Sequence, residues 1–222
     1  MNEHRFDIRA VMPVVALGCA WGVVESFAGV SLRGSCARMF TGSLLTGASI
    51  FFFAAASGYG LRLIMLSVLP LIAGSLRIYT GFLLDQKIMS GAVANPVFAF
   101  WIECAAFMLV FFVARKCLSR GLTAGMTMGA FTAILAAVLF LPVKVFTGIP
   151  ACVVPGGSTP LAVWGMPVGA VMGAVMMPFG LWAGRCLRNA SATTSRRRCW
   201  MALACETAVS VLCVVVLTLV YV

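Results

Sequence analysis

Seven long apolar runs constrain this chain more than any other feature. They cover residues 10–30, 39–56, 63–84, 92–114, 121–141, 162–183 and 200–222. Each is close to the ~20 residues that an α-helix needs to cross a hydrocarbon core. Backbone N–H and C=O groups in lipid must be satisfied within the segment, so these runs predict helices. The runs do not alternate with period two, which argues against a β-barrel. The chain is 62% hydrophobic and 10% charged, whereas soluble domains sit near 45–50% and about 25%. These figures exclude a disordered chain, a fibrous chain and a disulfide-stapled secreted module. The prediction is a single all-α transmembrane domain over residues 1–222, a polytopic helical bundle of six to seven spans. Arg5 and Arg9 precede the first run as in a signal peptide, but Trp21 and Glu25 lie inside it and no small-x-small site closes it. We read it as a retained helix.

The net charge of +10 is an expectation about topology rather than about nucleic acid. With the N-terminus cytoplasmic, eleven of the sixteen Lys and Arg residues fall in inner segments, among them Arg62, Arg115, Lys116, Arg185 and Arg188. Arg33, Arg38, Lys87 and Lys144 fall outside, and Arg77 lies within a span. The Arg196–Arg198 run reads as an anchor beside anionic headgroups. The longest connection, residues 142–161, carries four prolines and three glycines yet remains apolar. It is expected on the outer side, as an ordered loop or a lid over a ligand.

Small residues let helices approach closely in lipid. The fifth span carries Gly121, Gly125, Gly129, Ala133 and Ala137 at four-residue spacing, and the sixth carries Gly165, Gly169 and Gly173. The first carries Ala16 and Ala20 on one stripe, and Gly18 and Gly22 on another. Most such stripes build the bundle itself, and the fifth-span face in particular should pack tightly.

Ionisable residues inside a bilayer are costly and belong in the bundle interior. Glu25, Arg77 and Glu103 fall in the first, third and fourth spans. Glu25 and Arg77 come late in outward-running helices, so they share a level and are placed to pair. Glu103, near the middle of its span, either reaches Arg77 from below or remains protonated. Trp21 lies one turn before Glu25 on the same face, whereas Trp101 points away from the Glu103 face. Asn95-Pro96 opens the fourth span and leaves a free carbonyl or amide near the cluster. These residues form either a polar ligand pocket open to the outer side or a buried ion pair that fixes helix register.

Nine cysteines contain no C-x-x-C pair, and the sole histidine, His4, is in the N-terminal tail. No imidazole metal site and no Ser–His or Cys–His catalytic arrangement is available within the membrane. A glycine-rich phosphate loop is also absent, so the chain is not expected to be an enzyme, to bind a cofactor or to hydrolyse ATP. A proton-coupled carrier using Glu25 or Glu103 is disfavoured by so few carboxylates. Cys36 and Cys152, both expected outside, are a possible disulfide.

The stretch Ala20-Trp21-Gly22-Val23-Val24-Glu25 with Gly29, followed in the fourth span by Asn95-Pro96, Ala99 and Glu103, resembles the substrate-binding (S) components of energy-coupling factor (ECF) transporters, or related small bacterial membrane proteins. The resemblance covers roughly residues 10–114. It implies a six-span bundle in the bacterial cytoplasmic (inner) membrane that binds a vitamin-like micronutrient from the outer side. It further implies a membrane-embedded coupling subunit, docked on a first-helix stripe that Ala16 and Ala20 fit, and separate ATPases. The seventh apolar run departs from that pattern. The cobalt and nickel members carry an N-terminal His-containing motif that this chain lacks, which argues against a metal-ion substrate.

The leading expectation is therefore capture and uptake of a small organic solute. Glu25, Arg77, Glu103, Trp21 and Asn95 would line the site, with the lipid bilayer and partner subunits around it and no role for nucleic acid. The rival expectation is a small scaffold or subunit of a larger membrane complex, with structural buried charges.

Overall fold

The computed structural model describes residues 8–31, 41–114, 121–140, 142 and 165–193. The elements are α1 (Ile8–Ser31), α2 (Thr41–Tyr59), α3 (Leu63–Leu66), α4 (Val68–Leu83), α5 (Gly91–Ala114), α6 (Leu122–Phe140) and α7 (Met166–Thr193). With α3 and α4 taken as one interrupted crossing, six helical segments among the described residues are long and apolar enough to span a membrane. The protein is thus an all-helical, multi-pass transmembrane bundle. The seventh apolar run, most of the 142–161 connection, the Arg196–Arg198 run, and Cys36 and Cys152 lie outside the described residues.

The helices close into a ring. α1 packs on α2, α2 on α7, α7 on α6, α6 on α5, α5 on α4, and α4 returns to α1. α2 also reaches α5 and α6 across the ring, and accordingly it is the most buried span. The expected stripes make these crossings. On α6, Gly125 faces Pro178 of α7, Gly129 meets Gly173, and Ala133 lies against Gly169. A side chain at Gly129 or Gly173 would strike the other's carbonyl. At the α2–α7 crossing, Gly180 and Gly184 lie on the backbone of Phe51 and Ala55. The Gly18/Gly22 stripe of α1 packs on α4: a Cβ at Gly22 would sit 2.7 Å from Leu76 Cδ1. Gly121 stands just outside α6 with φ +103°, at the head of the stripe rather than within it.

Two turns punctuate the chain. Gly60, with φ +99°, ends α2, and Leu61 N–H reaches back to Ala56 O at 3.1 Å in the six-to-one bond of a Schellman close. Asp85, at φ 51°, does the same for α4, with Gln86 N–H on Gly81 O at 2.9 Å.

The third span departs from one continuous helix. It breaks at Ser67, and Pro70 takes a first-turn position of α4. Proline has no N–H, so Leu66 O cannot receive its usual helical bond. The Cys104 thiol of α5 approaches that carbonyl at 3.8 Å instead. The sixth span is longer than its apolar run, extending to Thr193 because the polar tail from Arg185 onward continues the helix past the apolar stretch.

Candidate functional site

α1 and α4 finish at the end of the bundle where α2 and α5 begin. Glu25 and Arg77 each lie six residues before their helix ends, Ser31 and Leu83, or ~9 Å at 1.5 Å rise per residue. Thr46 lies five residues into α2 and Asn95 four into α5, or ~6–8 Å from the same end. Glu103 is deeper, twelve residues into α5. The five residues singled out in the sequence are all interior: Trp21 is 0% exposed, Glu25 and Arg77 2%, Glu103 5% and Asn95 6%.

Trp21 and Glu25 share a helix face, as their spacing requires, and Trp21 Nε1 donates to Glu25 Oε1 at 3.1 Å. The indole is wedged among Phe53, Phe100 and Phe52, with ring centroids 5.1, 4.8 and 6.5 Å away. These rings bring α2 and α5 against α1 and close the apolar side of the site. Trp101, by contrast, is 41% exposed, turned away as its position relative to Glu103 predicts.

Arg77 answers a vacancy left by Pro96. That proline interrupts α5 and cannot donate to Ala92 O. Arg77 Nη2 donates to Ala92 O at 2.8 Å. The carbonyl that Pro96 cannot serve is therefore not free as the sequence suggested, but held by the guanidinium of α4. The Glu25 carboxyl lies within electrostatic reach of both Arg77 and Glu103, so the three ionisable groups form one cluster.

Glu103 makes a contact that sequence reasoning missed: Thr46 Oγ1 lies 2.7 Å from Glu103 Oε1. Ser49 of α2 borders the same carboxyl. No sequence signal pairs the two, since Thr46 lies five residues into α2 and Glu103 twelve into α5; the packing of α2 on α5 brings them together. A smaller polar link ties α1 to α4, where the Thr80 and Ser26 hydroxyls are 3.1 Å apart. Ala16 and Ala20 are half-buried, and Ala20 packs at the edge of the core.

Among the described residues, no three His, Cys, Asp or Glu side chains come together as a metal site would need. Chemically the cluster offers one guanidinium, two carboxyls, an amide and a hydroxyl beside an aromatic wall. That set suits recognition of polar groups on a flat organic molecule. No protein family, curated protein or solved structure matches the chain.

Proposed function

We propose that this protein captures a small organic solute at the end of the bundle where α1 and α4 finish, and that this end faces outward. In this reading it is the substrate-binding component of an ECF-like uptake system, taking a vitamin-like micronutrient. A coupling subunit docked over Ala16 and Ala20 and separate ATPases drive the cycle, and the 142–161 connection closes over the ligand. The observation that supports the reading is the convergence of Trp21, Glu25, Arg77, Asn95 and Glu103 from three helices in one half of the bundle. Placing ionisable groups at such depth is costly, and intramembrane charges are functional candidates by default.

One observation favours a second reading. The cluster is closed, with every member at most 6% exposed, and Arg77 is committed to a carbonyl of its neighbour. A scaffold subunit with a structural polar core would look the same. Mass spectrometry of small molecules that co-purify with the protein tests the first reading directly. Arg77→Met then separates the two. A folded variant without its ligand supports capture, and a variant that loses its fold, with no ligand found on the wild type, supports the scaffold.

A further inference from the structure

We infer that the polar cluster holds a proton on Glu103, so that this residue is a buried carboxylic acid donating to Thr46 and not a carboxylate accepting from it. The charge balance comes first. Among the described residues the buried charged side chains are Glu25, Arg77 and Glu103, two acids to one base. Burial and the Glu103 carboxyl weigh most on Glu25, and Arg77 is the one described cation whose field also reaches it; the polar groups that reach Glu103 are the hydroxyls of Thr46 and Ser49.

The hydrogen count comes second. Thr46 has a single hydroxyl hydrogen. Its Oγ1 lies 3.0 Å from Gly42 O, one helical turn back, and 2.7 Å from Glu103 Oε1. Gly42 O only accepts. With Glu103 protonated, Glu103 donates to Thr46 and Thr46 donates to Gly42, so both short contacts are hydrogen bonds. With Glu103 ionised, one of them is left without a hydrogen. Ser49 does not make up the shortfall, because its single hydrogen is divided between the Glu103 carboxyl and Thr46 O at 2.8 Å.

The surroundings come third. Of the elements packed on α5, α3 and α6 bring no ionisable group, and α2 brings only Tyr59 at its far end. α4 brings Arg77 and the half-exposed Tyr79, α1 brings Glu25 and Cys19, and α5 itself adds Cys104. None supplies Glu103 with a second cation, and a buried carboxylate without one reverts to its neutral form. The cluster is then neutral overall and stores one exchangeable proton inside the membrane, whether or not a solute binds.

Infrared difference spectroscopy of the protein in lipid nanodiscs at neutral pH tests this without a ligand. Wild type minus Glu103→Gln should show the C=O stretch of a protonated acid, shifted by H/D exchange. Thr46→Val, which removes the acceptor but keeps the shape, should move that band to higher frequency. A difference spectrum showing carboxylate stretches and no acid band overturns the inference. If Glu103→Gln fails to fold, an acid band unmoved by Thr46→Val overturns it as well. Because no solute enters the measurement, its failure leaves the capture reading untouched.

Discussion

Arg77→Met should destabilise the bundle, and the structure says by how much and how to restore it. The substitution keeps the apolar stem and deletes the guanidinium. Two losses follow. Ala92 O, to which Pro96 cannot donate, loses the Arg77 Nη2 bond of 2.8 Å; losing a hydrogen bond from a charged donor costs ~1–3 kcal/mol. Glu25, 2% exposed, loses the one described cation whose field reaches it, and breaking a buried charge pair from one side sets an upper bound of ~3–5 kcal/mol. The losses share one side chain and do not simply add, so the single variant should lose at least the ~1–3 kcal/mol of the bond and at most ~5 kcal/mol. Glu25→Gln on top of Arg77→Met removes the unbalanced charge and should recover all but the ~1–3 kcal/mol of the lost Arg77–Ala92 bond. Pro96→Ala as a third change supplies the missing N–H to Ala92 O and should recover most of the remainder. Reversible unfolding in mixed micelles, followed by the near-ultraviolet signal of the aromatic core, reads all three steps. If Arg77→Met stays within ~0.5 kcal/mol of wild type, or if Glu25→Gln restores nothing, the account of the cluster is wrong.

Other substitutions probe the same logic elsewhere. Gly129→Leu should abolish stable folding, because backbone and not a flexible side chain blocks its Cβ, while Gly42→Ala, which meets nothing within 4 Å, should stay within ~1 kcal/mol of wild type; yield of folded protein after detergent extraction checks both. Trp21→Phe deletes the 3.1 Å bond to Glu25 and should cost ~1.5–3 kcal/mol, the range for a hydrogen bond to a charged group, measured by thermal unfolding. Cys104→Ala should cost ~1–2 kcal/mol by leaving Leu66 O uncovered, and Cys104→Ser should be milder, since a hydroxyl can still donate there. Maleimide labelling of the folded protein should modify the exposed Cys186 and spare the buried Cys104.

Much of this architecture is readable in the sequence because the solvent simplifies the problem. In lipid, long apolar runs have one way to satisfy their backbones, so six of the seven runs correspond to observed helical crossings. The glycine stripes predict close crossings for the same reason: Gly129 on Gly173 is a contact that no larger residue allows. Trp21 and Glu25 are also legible, since both lie on one helix and four-residue spacing fixes their face. What was hidden depends on which helices become neighbours. Thr46 is unremarkable in α2 until the ring brings α2 beside α5, and its contact with Glu103 follows from that adjacency alone. The break at Ser67 was hidden differently: Pro70 is visible, but a proline so near a helix start is compatible with either a kink or a fresh first turn.

The two prolines also explain why the buried polar residues are not independent choices. Pro70 frees Leu66 O, and a thiol suffices to cover it. Pro96 frees Ala92 O, and here the donor is a guanidinium, which introduces a charge into the bilayer. That charge in turn needs a counter-charge, and Glu25 stands within reach, oriented by Trp21. Proline, arginine, glutamate and tryptophan thus form a chain of requirements, each member answering the one before, and packing alone would preserve all four together. Glu103 stands outside that chain. It covers no freed carbonyl, it balances no cation, and its contact to Thr46 joins two residues that could both be apolar without leaving a group unsatisfied. A buried acid that the fold does not require is the member of the cluster that points most directly to function.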